Sequence, residues 1–349
     1  MLKAQKYTAA LLLTLSSLCV GCNRQAQVRA SIAALASADR NQMEDAAYKL
    51  ARMGPEILPL LYEGLESDDA NLREGSLWAI QLMGSKASSA AGRIIPFLTD
   101  ESSQARAAAA FAFRELGCAP EAALRPLLLA LKDSDSRIRL GAAQSLGIFT
   151  EWPDLVVPAL GQALADPIEN ISRVASFSLT RFGPHAKAAV PALRELLKDL
   201  DRDASWAAHA LGELGPDARD AVPELMAALN SSREKLPSAA AEALGKIGKG
   251  ASIAIESLAA AMRTNKALDE AANALAKIGP DSVPALTEML DHKDENVREA
   301  AANALGEIGP PARSAVAALT KTVNDSVPFV SAAAGEALRA IQRGAEGTN

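Results

Sequence analysis

Residues 213–229 read ELGPDARDAVPELMAAL, and similar strings occur at 145–164 (SLGIFTEWPDLVVPALGQAL), 181–197 (RFGPHAKAAVPALRELL) and 307–323 (EIGPPARSAVAALTKTV). The glycine of this string, or its equivalent, recurs at positions 54, 84, 117, 150, 183, 215, 248, 279, 309 and 342, in steps of 30 to 33 residues. Such regular spacing is typical of a repeat architecture, in which each unit contacts only its neighbours.

Each unit predicts a pair of helices. The glycine closes the first helix, because glycine adopts a left-handed conformation without strain. The proline that follows, as at Pro191 or Pro223, suits the first turn of a second helix, where its missing N–H costs little. Acidic clusters such as 133–135 then break the chain and cap the next first helix, exemplified by residues 297–305.

The strings GPxAxxAVPxL, as in 215–225, and VRxxAAxALGxIG, as in 297–309, resemble short HEAT-like repeats found in bacterial proteins, including phycobilisome lyase subunits. The resemblance covers residues 30–343 and implies about nine to ten helix pairs, with residues 344–349 as a tail. It predicts an all-α fold, a right-handed alpha-alpha superhelix of the HEAT-like or armadillo-type solenoid class.

The N-terminal residues have the pattern of an export signal. Lys3 and Lys6 precede a short apolar run at 9–15, which is too short to span a bilayer and suits a signal peptide. Gly21 and Cys22 resemble a bacterial lipobox, in which a small residue precedes a cysteine that becomes lipidated. An ordinary secreted protein with a stray cysteine is the alternative.

The lipobox resemblance implies a defined domain order and address. Residues 1–21 are expected to be a lipoprotein signal peptide, Cys22 the lipidated residue and 22–29 a tether. The mature protein is then anchored to the membrane by lipid alone and faces the extracytoplasmic, periplasmic side. Asn23 does not match the Asp that signals inner-membrane retention in some bacteria, which favours the outer membrane.

The composition and the motifs exclude several function classes. The 349-residue chain is 49% hydrophobic, which argues against disorder, and its formal net charge of −6 without a basic stripe argues against nucleic-acid binding. His185, His209 and His292 are followed by Ala, Ala and Lys, so the His-Glu pairs of a HEAT-like di-iron hydroxylase are missing. The histidine spacings fit no zinc motif, and no phosphate-binding loop occurs. We therefore expect no catalytic residue, no metal and no cofactor.

An acid–x–x–x–Arg spacing recurs where a loop enters a first helix. In HEAT-like arrays such residues commonly form a ladder of ion pairs between repeats, and we assign them that structural role. The residues are Asp69 and Arg73, Asp135 and Arg139, Glu169 and Arg173, and Asp294 and Arg298.

A second series predicts a surface for a partner. The residue six positions before each glycine equivalent is expected to face solvent, because its helical neighbours one turn away are charged. This position is polar in the C-terminal repeats but largely apolar or aromatic in the N-terminal ones, and two apolar residues extend it one turn further. The predicted partner-binding residues are Tyr48, Trp78, Leu82, Phe111, Ile148, Phe177 and His209. Internal packing, or coverage by residues 23–40, is the competing interpretation.

These observations predict a non-catalytic, lipid-anchored scaffold that binds a protein partner at the extracytoplasmic membrane surface. A HEAT-like lyase or chaperone-type enzyme subunit is the alternative implied by the family resemblance. A relative of the metal-dependent hydroxylases is a further alternative, which the missing His-Glu pairs disfavour.

Overall fold

The computed structural model of the protein describes residues 26–199 and 202–346. Within these ranges the regular structure is helical, with α helices, short 3₁₀ helices and no strand. The predicted all-α class is confirmed. The chain divides into two compact units between Phe149 and Thr150. Cys22 and the expected signal peptide lie outside the described residues.

The helices follow one another in pairs along each unit. The first unit contains α1 (26–34), α2 (Arg40–Met53), α3 (Leu58–Leu65), α4 (Ala70–Met83), α5 (Ala91–Ile94), α6 (Ser103–Leu116), α7 (Glu121–Ala130) and α8 (Ser136–Leu146). The second contains α9 (Pro153–Ala163), α10 (Glu169–Thr180), α11 (Val190–Lys198), α12 (Ser205–Leu214), α13 (Val222–Ala228), α14 (Leu236–Ile247), α15 (Ile255–Arg263), α16 (Leu268–Ile278), α17 (Val283–Met289), α18 (Glu295–Ile308), α19 (Val316–Thr322) and α20 (Pro328–Glu346). The 3₁₀ helices are Pro55–Ile57, Gly84–Ala90, Ile95–Thr99, Gly183–Ala189, Gly215–Ala221, Gly248–Ala254, Pro280–Ser282 and Pro310–Ala315.

The ends of the helical region differ from the predicted domain boundaries. The sequence predicts a tether that runs to residue 29, whereas residues 26–29 are already helical. At the other end α20 continues to Glu346, past the predicted end of the repeats at 343. Among the described residues, no helix is long and apolar enough to cross a membrane.

Eight of the predicted glycines have the expected positive φ, but usually not the predicted left-handed helical geometry, and α8 instead ends at Gly147 with φ −60°. Gly117 is left-handed in ψ as well, with φ 65° and ψ 24°. Gly215 combines φ 57° with ψ −133°. Only glycine reaches this region readily, and the following Pro216 also disfavours a helical ψ at the residue before it. The chain then forms a 3₁₀ turn before α13, whose first turn holds Pro223 as predicted.

The first helices approach one another closely at small residues. A Cβ placed on Gly212 of α12 would lie 3.0 Å from the Cα of Ala243 on α14, and one on Gly245 of α14 would lie 2.9 Å from the Cα of Ala274 on α16. Leucines such as Leu211 and Leu244 are fully buried beside these contacts. The core of each unit is therefore a continuous layer of alanine and leucine between stacked helices.

Arginines at the start of several first helices bind an aspartate of the following repeat. Arg73 donates from Nε and Nη2 to both carboxylate oxygens of Asp100, at 3.0 and 2.9 Å. Arg298 binds Asp325 in the same way, at 2.7 and 3.0 Å. Arg106, which the predicted spacing omitted, binds Asp133 at 2.9 Å. In each case the third guanidinium nitrogen donates to two carbonyl oxygens of the preceding loop.

The aspartates of the predicted acid–x–x–x–Arg spacing have a different role from the one predicted. Asp69, Asp135 and Asp294 accept a hydrogen bond from the backbone N–H two residues ahead, each at 2.9 Å, and so cap their own helices. Arg139 donates to the carbonyl oxygens of Asp133 and Ser134. The structure thus pairs Arg73, Arg106 and Arg298 with an aspartate 27 residues later in the chain, where that aspartate begins the next capping loop.

The predicted pair Glu169 and Arg173 is not formed in this way. Glu169 accepts a hydrogen bond from the backbone N–H of Asp203, at 3.1 Å. The Arg173 guanidinium binds the side-chain oxygen of Asn170 and lies over the ring of Trp206, 5.5 Å from its centroid. At this repeat Arg173 makes a cation–π contact with the following first helix.

Candidate protein-binding groove

An open groove of about 280 Å³ crosses the first helices of the first unit. Its floor is formed by Trp78 of α4 together with Ala107, Ala108 and Phe111 of α6. Both aromatic rings are half-buried. The rim is polar and consists of Arg40, Glu74, Gln81, Gln104 and Arg137. We call these nine residues the aromatic groove.

Local sequence explains why these side chains meet. Glu74 and Trp78 are four residues apart on α4, and Gln104, Ala107 and Phe111 follow a spacing of three and four on α6, so each set lies on one helix face. The start of α2 is fixed by Asp39, whose side chain accepts the N–H of Asn41, and this places Arg40 at the edge of the neighbouring helix.

The Arg40 guanidinium covers part of the Trp78 ring, with Cζ 5.2 Å from the ring centroid. Its Nε donates to Glu44 at 3.1 Å, and its Nη1 lies 3.9 Å from Glu74. At the other side of the groove Arg137 binds Asp135 through Nε and Nη2, at 3.2 and 2.7 Å. Both arginine side chains are more than half exposed, so they remain accessible to a partner.

Glu74 is the one lining carboxylate and is the most enclosed charged group of the groove, with its side chain 13% exposed. Desolvation raises the pKa of Glu74, and the charges of Arg40 and Arg137 oppose that rise without cancelling it. The carboxylate is thus held where water solvates it poorly.

The structure brings together only part of the predicted partner surface. Trp78 and Phe111 share the aromatic groove. Tyr48 on α2 is 53% exposed and Leu82 is half-buried, but neither lines the groove, and the same holds for half-buried Ile148. Of these three residues only Tyr48 occupies the position six before the glycine, and its exposure agrees with the expectation that this position faces solvent.

The other two predicted residues belong to the second unit. Phe177 on α10 is 49% exposed, and His209 on α12 lies 3.8 Å from Glu213. Trp206, three residues before His209, is also exposed and carries the Arg173 contact. It escaped prediction because it lies nine residues before its glycine, outside the aligned series.

In the described part of residues 23–40, Arg40 covers part of the Trp78 ring, whereas Leu35 packs elsewhere. The backbone of Leu35 packs against Gly75 of α4, where an added Cβ would lie 2.8 Å from the Leu35 carbonyl oxygen. Leu35 is fully buried there, while Trp78 stays half-exposed. Leu35 therefore closes the core beside α4, and Arg40 is the residue of this segment that borders the aromatic groove.

Cys118 and His292 each contact a backbone group of the described chain. Cys118 is half-buried, its thiol faces the carbonyl oxygen of Ser88 at 3.8 Å, and burial raises its pKa, which lowers its nucleophilicity. His292 accepts the backbone N–H of Asp294 through Nδ1. Within residues 26–199 and 202–346, no group of three His, Cys, Asp or Glu side chains is placed to hold a metal ion.

Comparison with known proteins supports the fold. Residues 93–167 and 265–339 match the family model of HEAT repeats. No curated protein sequence matches the chain. Because 370 chains of solved structures match it, the architecture is widespread and does not by itself identify a function.

Three solved structures illustrate the likeness. An engineered protein is 23% identical, with 90% of this chain and 99% of that chain covered and a TM-score of 0.56. Importin beta is 16% identical, with coverage of 90% and 44% and a TM-score of 0.54. Kap121p is 16% identical, with coverage of 82% and 37% and a TM-score of 0.51.

The comparisons confirm the predicted helical-repeat fold class. The chain spans less than half the length of the importin beta and Kap121p chains it matches, and at these identities the likeness concerns the fold alone. The family match carries no catalytic assignment.

Proposed function

We propose that this protein is a non-catalytic scaffold, anchored by lipid at the extracytoplasmic face of a membrane, that binds a protein partner through the aromatic groove. The observation that carries the binding role is the partial exposure of Trp78 and Phe111 together on the floor of one groove. Tryptophan and other large aromatic side chains in such positions are common anchors of protein interfaces.

The contrast between repeats supports the same assignment. The positions equivalent to Trp78 and Phe111 in α14, α16 and α18 are Glu242, Asn273 and Asn303, all exposed. A polar residue suffices at this position for the fold, so the aromatic residues of the first unit are not required by the packing of a repeat. Aromatic side chains that packing does not require are better explained by a contact with a partner.

Photo-crosslinking in native membranes tests the binding role. A photoreactive residue at position 81 lies on the groove rim and leaves Trp78 intact, and a second probe at position 303 serves as the matched control. We expect position 81 to capture a distinct protein that position 303 does not, and we expect Trp78→Ala to abolish that capture. Capture that persists in the Trp78→Ala variant would exclude the groove as the binding site.

The anchor is supported by the sequence around Cys22 and needs its own test. The full chain and its Cys22→Ala variant are expressed in a bacterial host with Cys19→Ala as the control, and the membrane fraction is analysed by mass spectrometry. We expect a lipid-modified N-terminus at Cys22 in the parent and the control, and an unprocessed or soluble Cys22→Ala chain. Identical processing and fractionation of all three chains would refute the lipid anchor.

A further inference from the structure

Basic residues without acidic neighbours are concentrated in the sequence of the first two helices. Residues 23–38 and 46–55 contain no Asp or Glu. Their basic residues are Arg24, Arg29, Lys49 and Arg52. The chain as a whole has a formal net charge of −6. The positive charge is therefore a local feature of α1 and α2.

The contacts of α4 show which ends of α1 and α2 lie together. Leu35, just after α1, packs against Gly75, and the Nη1 of Arg40, at the start of α2, lies 3.9 Å from Glu74. Both contacts are in the first half of α4, so the connection between α1 and α2 lies at that end. A connection this short makes neighbouring helices antiparallel. The start of α1 and the end of α2 therefore lie together at the opposite end, which we call the basic end.

The cations of the basic end are available to an anion from outside. Arg29, Lys49 and Arg52 are exposed, and no carboxylate of the described residues pairs with them. The nearest acids along the chain are Asp45, one turn further from this end, and Glu56, just past α2. These two carboxylates leave an excess of positive charge at the basic end.

An exposed aromatic residue lies among these cations. Tyr48 is 53% exposed, directly before Lys49 and one turn before Arg52. Tyrosine is enriched where a bilayer meets water, because its ring is apolar and its hydroxyl is polar. Lysine and arginine share this two-part character, since an apolar stem carries their charged head. The combination suits a surface of anionic phospholipid headgroups.

The proposed lipid anchor would place the basic end beside such a surface. Three residues, 23–25, separate Cys22 from the start of α1 at Ala26. The four steps from Cys22 to Ala26 span at most about 14 Å, even when fully extended. Arg24 belongs to this connection and adds a fourth cation. A lipid on Cys22 therefore keeps the start of α1 within reach of the headgroups.

On the basis of the proposed lipid anchor, we infer that the basic end binds the anionic headgroups of the bilayer that holds the anchor. Arg29, Lys49 and Arg52 pair with lipid phosphates, and the Tyr48 ring lies at the level of the headgroups. This contact adds a second signal to the acyl chains and determines which end of the first unit faces the bilayer. Arg40 is about 18 Å from Arg52 along α2 at 1.5 Å per residue, so its edge of the aromatic groove stays clear for a partner.

Fluorescence quenching in vesicles tests this contact. The full chain is purified with its N-terminal lipid in a Cys118→Ser background and labelled at Gln27→Cys on α1 or at Gln42→Cys near the start of α2. Both glutamines are exposed. The protein is reconstituted into phosphatidylglycerol vesicles that contain a lipid with a nitroxide headgroup. We expect strong quenching at position 27 and weak quenching at position 42, and we expect the quenching at 27 to fall when salt is added or phosphatidylcholine replaces phosphatidylglycerol.

Charge variants identify the residues that make the contact. Lys49→Gln and Arg52→Gln should each weaken it about fivefold, which corresponds to about 1 kcal/mol for each cation at an anionic surface. Arg125→Gln and Lys132→Gln remove exposed cations elsewhere in the same unit and should leave the quenching unchanged. Quenching at position 27 that is equal in neutral vesicles, or that survives in both basic-end variants, would overturn the inference. So would quenching at 27 no stronger than at 42.

The outcome is separable from that of the proposed anchor. A chain with lipid on Cys22 but without charge-dependent quenching at position 27 refutes the headgroup contact and leaves the anchor in place. An unmodified Cys22 in the mass spectrum removes the reason to place the basic end at a bilayer, so the anchor and the contact fail together. The capture of a partner from position 81 is independent of both results.

Discussion

Arg73 and Asp100, 27 residues apart in the chain, form a two-bonded ion pair between successive repeats, with N–O distances of 2.9 and 3.0 Å. Their side chains are only 9% and 11% exposed. Asp100 also accepts the backbone N–H of Ser102 at 2.8 Å. One carboxylate thus joins the preceding repeat to the loop that starts the next first helix.

Loss of the Arg73 guanidinium should destabilise the first unit markedly. Arg73→Gln leaves the Asp100 carboxylate without its cation and two loop carbonyls without their donor, and we expect a loss of about 2–3 kcal/mol in the free energy of unfolding. Urea denaturation followed by circular dichroism measures this value. Lys321→Gln is the control, because it breaks an exposed ion pair. The side chains of Lys321 and Asp291 are 75% and 71% exposed, and loss of their pair should cost less than about 0.5 kcal/mol. Equal losses in the two variants would contradict the role assigned to Arg73.

The Arg298–Asp325 pair should make the second unit sensitive to acid. Two hydrogen bonds hold the pKa of Asp325 below its ordinary value. The bond from the Arg298 side chain has the larger effect, and the bond from the Val327 N–H has the smaller one. A lowered pKa in the folded state means that the stabilisation is present above the unfolded-state pKa and is lost as the pH falls through the folded-state pKa.

The test compares Asp325→Asn with the parent protein from neutral pH to below pH 4. We expect the variant to melt at a lower temperature at neutral pH and the difference to shrink as Asp325 becomes protonated in the parent. Asp291→Asn, which alters an exposed pair, provides the control and should show little difference at any pH. A difference between Asp325→Asn and the parent that stays constant over this range would be inconsistent with the lowered pKa.

Close helix packing at Gly245 should make this position intolerant of a side chain. The Cβ of Gly245→Ala would lie 2.9 Å from the Cα of Ala274, so α14 and α16 must separate, and we expect a loss of about 1–3 kcal/mol in the free energy of unfolding. Gly161→Ala in α9 is the control within the same unit, because its Cβ would meet only ordinary contacts. There the gain in helix propensity should stabilise by about 0.5–1 kcal/mol. The opposite order of the two thermal midpoints would refute the packing argument.

Loops that lack the cross-repeat arginine should open more readily. The ladder position is occupied by Ala204, Pro237 and Leu268 in the repeats between residues 204 and 270. We expect amide hydrogens in the loops 230–235 and 264–267 to exchange faster than those in the loop 291–294, which Arg298 binds. Hydrogen exchange monitored by mass spectrometry gives this comparison, and equal protection of the three loops would rule out the ladder as their main restraint.

The repeat period, the helix pairs and the glycine that follows most first helices could be read from the sequence, because they depend on local chemistry. Positive φ favours glycine, a proline suits the first turn of a helix, and Asp69 or Asp294 caps a helix through atoms two residues away. The solvent-facing position that holds Tyr48 and Trp78 also followed from helical periodicity alone.

The tertiary structure alone decided which of these residues meet. An arginine binds any carboxylate that comes within reach. The spacing within one repeat therefore suggested Asp69 as the partner of Arg73, but the stacking of repeats places Asp100 against it. Stacking likewise sets Arg40 of α2 over Trp78 of α4 and adds Phe111 of α6 to one groove. Local sequence determines each helix and its faces. The offset between neighbouring helices, however, depends on close contacts such as that of Gly75 with Leu35. These contacts therefore determine which partner each charged or aromatic side chain meets.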